Sequence, residues 1–209
     1  LKIDFVMLPD EENCCGLPVM NAGYRKDAVK LAKKNLKLFR EKGIQKIVTN
    51  CPSCFHMFGS VYPKLVRDWN IPVEHATVTV LRALKKKGWK YHGYDEDREI
   101  VAYHDPCHLG RHSGVYDEPR EVVEILGGRI MESRFSREKA LCCGGGGGVR
   151  ANFENLAKGV SNERVKSFSE DVGKIISPCG LCYANLKSSS DKSVEFSSFV
   201  LGKLRGMKR

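Results

Sequence analysis

The chain has 209 residues, 42% of them hydrophobic and 29% charged, and carries a formal net charge of +10. That is the composition of an ordinary soluble globular protein with length enough for a real core. It excludes a membrane-spanning chain, since no apolar run approaches the roughly 18 residues that a bilayer requires.

The predicted elements follow in chain order. Residues Lys2 to Leu8 alternate apolar and mixed side chains and predict a strand leading toward Cys14 and Cys15. Asp27 to Lys42 places Ala28, Leu31, Ala32, Asn35, Leu38 and Phe39 at helical spacing, with Gly43 ending the helix. Ile44 to Thr49 is then a short buried strand that runs into Cys51. Ile100 to His104 is another apolar strand, ending at Asp105-Pro106-Cys107. Pro119 to Leu126 starts a helix at a favoured first-turn proline and is stopped by Gly127-Gly128. Asn155 to Glu170 reads as a helix, and Lys174 to Ser177 as a strand running into Cys179. The fold class is therefore α/β: two duplicated Rossmann-like units, each with a short parallel sheet flanked by helices. Ligands gather at the carboxyl ends of such strands, where Cys51, Cys107 and Cys179 are expected to converge.

The basic residues gather at Lys30, Lys33, Lys34, Lys37 and Arg40, at Lys85, Lys86 and Lys87, and at Lys208 and Arg209. No aromatic residues interleave with them. They read as solvated helix faces, and nucleic acid is not expected as a partner.

The nine cysteines carry the chemistry. An odd number at these spacings argues against a disulfide framework, and gathered thiolates in a cytoplasmic protein bind metal. Cys14, Cys15, Cys51 and Cys54 recur as Cys142, Cys143, Cys179 and Cys182, displaced by 128 positions with no insertion or deletion. The flanks repeat as well, with Ile47-Val48-Thr49-Asn50-Cys51-Pro52-Ser53-Cys54 matching Ile175-Ile176-Ser177-Pro178-Cys179-Gly180-Leu181-Cys182. This is an internal duplication, with a first repeat over residues 1–94 and a second over 95–209. The counterpart of Cys107 would fall 22 residues upstream of Leu1, so the sequence is expected to begin inside its first repeat. Four thiols in the first set could hold a zinc ion, whereas the second set has five, more than one tetrahedral ion uses.

Five glycines, Gly144 to Gly148, follow the second cysteine pair. No Gly-Lys-Ser/Thr follows them, which rules out a phosphate loop, and a cysteine pair stands where a dinucleotide fold needs its strand. Glycines let the main chain approach an electron-rich group and aim its amides inward, so Gly144, Gly145 and Gly146 are candidate cofactor-binding positions. His104, His108 and His112 cluster around Cys107. His108 is a candidate proton donor, and Arg111 a candidate anchor for an anionic substrate, whereas His56 and His75 read as structural.

A cysteine, a Cys-Cys-Gly 35 positions later and a Pro-Cys-x-x-Cys after it resemble the cysteine-rich "CCG" domain found in tandem in heterodisulfide reductase catalytic subunits. His104-Asp105-Pro106-Cys107-His108-Leu109-Gly110-Arg111 and Tyr116-Asp117-Glu118-Pro119-Arg120 resemble the D-type subunit in particular, and related iron–sulfur oxidoreductase subunits are similar. The resemblance implies a noncubane [4Fe-4S] cluster on Cys107, Cys142, Cys143, Cys179 and Cys182. It leaves a second cluster or zinc at Cys14, Cys15, Cys51 and Cys54. It also implies an oxidoreductase subunit that reduces a small disulfide, at the cytoplasmic face of a membrane, with electrons from an iron–sulfur, flavin or membrane cytochrome partner. Two alternatives stand beside it: an electron-transfer subunit of a glycolate, lactate or glycerol-3-phosphate dehydrogenase type, and a zinc-binding assembly module.

Overall fold

A computed structural model describes residues 1–206, so Lys208 and Arg209 lie outside the described residues. The first unit opens with irregular chain. The strand expected over residues 2–8 does not form, and Phe5, Val6 and Met7 are largely exposed. An alternating pattern makes a strand only where a neighbouring edge accepts its backbone hydrogen bonds, and this segment has none.

Gly16, at φ 85°, turns the chain into helix α1 (Leu17–Asn21), and α2 (Arg25–Glu41) follows. Helix α2 buries Ala28, Ala32, Asn35 and Leu36 and turns Lys30, Lys33, Lys34, Lys37 and Arg40 to solvent, as its periodicity predicts. Strand β1 (Ile47–Thr49) leads into α3 (Pro52–His56), a π-helical turn (Met57–Val61) and α4 (Tyr62–Leu65), before β2 (Val73–His75) and α5 (Ala76–Lys86).

The second unit comprises β3 (Glu99–Tyr103), α6 (Asp117–Ile125), β4 (Gly128–Ile130), α7 (Val149–Asn152) and α8 (Glu154–Lys166). It ends with β5 (Lys174–Ser177), α9 (Gly180–Lys187), β6 (Ser193–Glu195) and α10 (Phe196–Gly206). Strand β4 begins at the glycine pair that reads in the sequence as a helix stop. Gly127 ends the helix at φ 83°, and Gly128 is already sheet.

All strand pairs among the described residues are parallel. Strand β1 pairs with β2, with Val48 opposite Glu74, and the larger sheet runs β4-β3-β5-β6, with Ala102 opposite Ile175 and Ile176 opposite Val194. The fold is thus α/β with one two-stranded and one four-stranded parallel sheet, flanked by helices. Successive side chains of the larger sheet feed two cores. Val101 and Ile176 pack with Leu81, Leu84, Val122, Phe196 and Phe199, whereas Ala102 and Ile175 pack with Phe168, Val172, Cys143 and Cys182. The smaller sheet's unit has its own core, built on Met57, Phe58, Tyr62 and Trp69. Helix α5 places Leu81 and Leu84 in the core of the larger sheet, which joins the two units. No helix of the described residues is long and apolar enough to cross a membrane.

Candidate metal centre

Three of the cysteine-bearing loops leave the carboxyl ends of parallel strands. Cys51 follows β1 and begins α3, Cys107 follows β3, and Cys179 follows β5 and begins α9. Cys54 and Cys182 sit one turn further into those helices, on the face that their partners share.

In the second set, Cys143 and Cys182 are in thiol–thiol contact at 3.1 Å, and both are buried. Cys107 is half-buried and lies close enough to Cys143 and Cys179 for their charges to raise it, while burial raises it most. Cys142 is the exposed member, and a shallow apolar groove lined by Leu141, Leu156, Gly159 and Val160 runs up to it. Cys51 of the first set lies close enough to Cys179 to act on it through its charge.

Each set divides its protons. In the first, the adjacent Cys54 thiol is the main cause that holds Cys15 down to about 7 and Cys51 down to about 6, and Cys54 is itself pushed far up. In the second, Cys143 is driven down by the neighbouring Cys142 and Cys182 thiols, with His104 adding to the effect. Cys179 is lowered by Cys182, while Cys142 and Cys182 are raised by the same contacts. Thiolates crowd against thiols that cannot all ionise until a cation takes the place of the protons.

Backbone amides point at these sulfurs. Gly144 N–H donates to Cys142 Sγ at 3.3 Å and Gly145 N–H to Cys143 Sγ at 3.4 Å, and Gly16 N–H donates to Cys14 Sγ at 3.4 Å. Gly144 has φ 80°, and a Cβ there would meet the Ala157 carbonyl oxygen at 2.7 Å; one on Gly145 would meet the Leu181 carbonyl oxygen at 3.0 Å. A Cβ on Gly146 would meet nothing within 4 Å, so that position is not crowded.

Several residues that frame the site carry no local sequence signal. Asn185 donates to the carbonyl oxygens of Cys143 at 2.6 Å and Ala157 at 3.1 Å. In the first set, Tyr62 donates to the Cys15 carbonyl oxygen at 2.9 Å, and Asn35 donates to the Cys14 carbonyl oxygen and to the Tyr62 hydroxyl. The Cys107 loop is fixed by a buried bidentate pair, in which Arg120 Nη1 and Nη2 donate to the two Asp105 carboxylate oxygens at 2.7 and 2.9 Å. These are long-range contacts, invisible to periodicity; only the sequence Asp105-Pro106-Cys107 and the segment ending in Arg120 draw attention beforehand.

The histidines separate into two groups. His56 joins His108 and His112, with ring centroids 4.9 to 5.6 Å apart, where the two units meet, and His108 Nδ1 lies 3.5 Å from Cys107 Sγ. Burial lowers both His56 and His108. His75 caps α5, its Nδ1 accepting from Thr77 N–H while its Nε2 faces the Asn50 carbonyl oxygen. Arg111 is exposed, with Nη1 donating to the Glu138 and Ala140 carbonyl oxygens.

Soft thiol donors, amides aimed at sulfur and a cradle that a Cβ would fill all suit a thiophilic metal group. Two buried donors beside the second set, His104 Nε2 and Arg164 Nη2, have no hydrogen-bond partner among the described residues, which suits an electron-rich occupant there.

The family described as the cysteine-rich CCG domain matches residues 1–59 and 101–187. The chain is 37% identical over 196 residues to the D-type component of a dihydromethanophenazine:CoB–CoM heterodisulfide reductase from Methanosarcina mazei, covering 91% of this chain and 48% of that protein. It is 35% identical to the corresponding component from Methanosarcina barkeri, again over 91% and 48%. It is also 35% identical over 174 residues to an EtfAB:quinone oxidoreductase from Syntrophomonas wolfei, covering 81% of this chain and 23% of that protein. The chain spans about half the length, or less, of these relatives.

Proposed function

The chain belongs to the cysteine-rich CCG domain family, and from that premise we propose that it is an iron–sulfur oxidoreductase subunit that reduces a small disulfide. Cys107, Cys142, Cys143, Cys179 and Cys182 would hold a noncubane [4Fe-4S] cluster, and Cys14, Cys15, Cys51 and Cys54 a second cluster or zinc. The observation that carries this reading is the set of five thiols, Cys107 after β3, Cys179 and Cys182 after β5 and the Cys142-Cys143 pair in the loop before α7, with glycine amides already turned toward the sulfurs of that pair. Such a cluster supplies one-electron transfer and an iron with affinity for sulfur.

The chain's own residues do the rest. Exposed Cys142 and the apolar groove beside it give a small thiol or disulfide its approach. Two electrons and two protons convert a disulfide into two thiols. The electrons come from a partner subunit carrying iron–sulfur, flavin or cytochrome, docked at the cytoplasmic face of a membrane. His108 holds one proton at the nitrogen beside Cys107 Sγ, and solvent provides the other. Arg111 engages protein only through Nη1 among the described residues, which leaves Nε and Nη2 for an acidic group on the substrate.

The likeness to the EtfAB:quinone oxidoreductase favours a second reading, in which the same site only passes electrons toward a quinone. One experiment separates the two. Adding coenzyme M, as a small thiol, to the oxidised, iron-loaded protein is expected to generate a new EPR signal. No response supports electron transfer alone.

A further inference from the structure

His104 and Arg164 stand behind the second cysteine set as two buried residues in series. His104 is 1% exposed and Arg164 fully buried. Arg164 Nε donates to His104 Nδ1 at 3.1 Å. Guanidinium is always a donor, so Nδ1 must be the lone-pair nitrogen and the imidazole proton must sit on Nε2. That nitrogen is buried and makes no hydrogen bond among the described residues, and a ring nitrogen of His104 lies within 4.8 Å of both the Cys143 and Cys182 sulfurs.

Arg164 is unusual in its own right. Nη1 is taken by the Phe135 carbonyl oxygen and the Ser167 hydroxyl, and the guanidinium stacks 4.1 Å above the Phe168 ring. Nη2 has no partner, and no carboxylate forms a salt bridge with Arg164 among the described residues. A buried cation is costly without compensating charge; Asp105 and Glu132 act on Arg164 from a distance, and Cys143 and Cys182 add to them from the sulfur site. The first set has no such device, because the position 128 residues before Arg164 is the buried Leu36.

We propose that Arg164 and His104 form a positioning pair that stabilises electron density on the second sulfur site. Arg164 supplies a buried positive charge and fixes His104 in the Nε2–H tautomer, which leaves that N–H as the donor available to sulfur at Cys143 once the site is occupied. A donor and a cation at this place make the occupant of the second site easier to reduce. The inference rests on the reading that these thiols hold an iron–sulfur cluster.

The test is a redox titration, followed by EPR, of anaerobically reconstituted protein whose iron and acid-labile sulfide are measured first. At the midpoint potential of the unaltered protein, Arg164→Met and His104→Leu are each expected to lower the ratio of reduced to oxidised cluster by about tenfold, which is about 59 mV for a one-electron couple. Arg164→Lys, which keeps the charge, and His104→Gln, which keeps a donor, are expected to recover most of that shift. Variants that keep their iron and titrate at the unaltered potential overturn the inference and leave the cluster reading intact. Unaltered protein that takes up no iron overturns both. Where the apolar variants do not load, Arg164→Lys is compared with Arg164→Gln, and equal potentials for that pair overturn the proposal.

Discussion

Asn185, buried in α9, donates its side-chain amide to the carbonyl oxygen of Cys143 at 2.6 Å. The contact ties the helix that carries Cys182 to the loop that carries the cysteine pair, so one side chain sets the distance between two sulfur-bearing elements. Replacing Asn185 with Leu leaves the Cys143 and Ala157 carbonyl oxygens buried without this donor. The expected loss is about 1–3 kcal/mol of stability, read by denaturant unfolding of metal-free protein, together with weaker iron retention during gel filtration.

Arg120 and Asp105 are 5% and 4% exposed, and their two parallel hydrogen bonds hold the turn before Cys107. Arg120→Met strands a buried carboxylate and is expected to destabilise the protein by about 3–5 kcal/mol. Adding Asp105→Asn to that variant is expected to recover a large part of the loss. Strictly additive losses in a double-mutant cycle by urea denaturation would show that the pair is not coupled. Glu132, which also accepts from Arg120, stays in place throughout.

The glycine run is not uniform, and substitution should reveal it. Gly144 combines a left-handed backbone with a carbonyl oxygen 2.7 Å from where a Cβ would sit, whereas nothing crowds Gly146. Gly144→Ala is expected to cost about 1–3 kcal/mol and to weaken metal loading, while Gly146→Ala stays within about 1 kcal/mol of the parent. Thermal unfolding and iron analysis of the two variants, side by side, check the contrast.

Burial lowers His75 to about 4 from an ordinary value near 6.5. The folded protein therefore favours neutral imidazole, and the stability that this contributes is fully present above pH 6.5 and is lost as pH falls toward 4. Across that window the loss is about 3 kcal/mol. The free-energy difference between the parent and His75→Asn, which keeps a helix-capping side chain before Thr77, should narrow by that amount on acidification. A difference independent of pH would show that His75 does not titrate as its surroundings dictate.

The sequence reveals the α/β class, the cysteine pattern repeated at an offset of 128 and the strand ends that deliver Cys51, Cys107 and Cys179, because each of these is a local pattern or a spacing. It reveals much less where a contact joins distant segments. Arg164 reaches His104 across 60 positions and Asn185 reaches Cys143 across 42, and neither residue differs in the sequence from an ordinary helix position. Strand β4 is three residues long, too short for an alternating pattern, and begins at a glycine that reads as a helix stop. Residues 2–8 show the opposite failure. There the alternation is present, but no neighbouring strand pairs with it. Patterning states what a segment can do, and the available edges decide whether it does so.

The central claim is that Cys107, Cys142, Cys143, Cys179 and Cys182 hold iron and inorganic sulfide together. Iron and acid-labile sulfide analysis of anaerobically reconstituted protein, compared with a Cys143→Ser/Cys182→Ser variant, tests it most directly. The account predicts iron and sulfide in equal amounts, about four of each for the second set, and loss of that complement in the variant. Zinc without sulfide, or iron content unchanged by removing those two thiols, would contradict it.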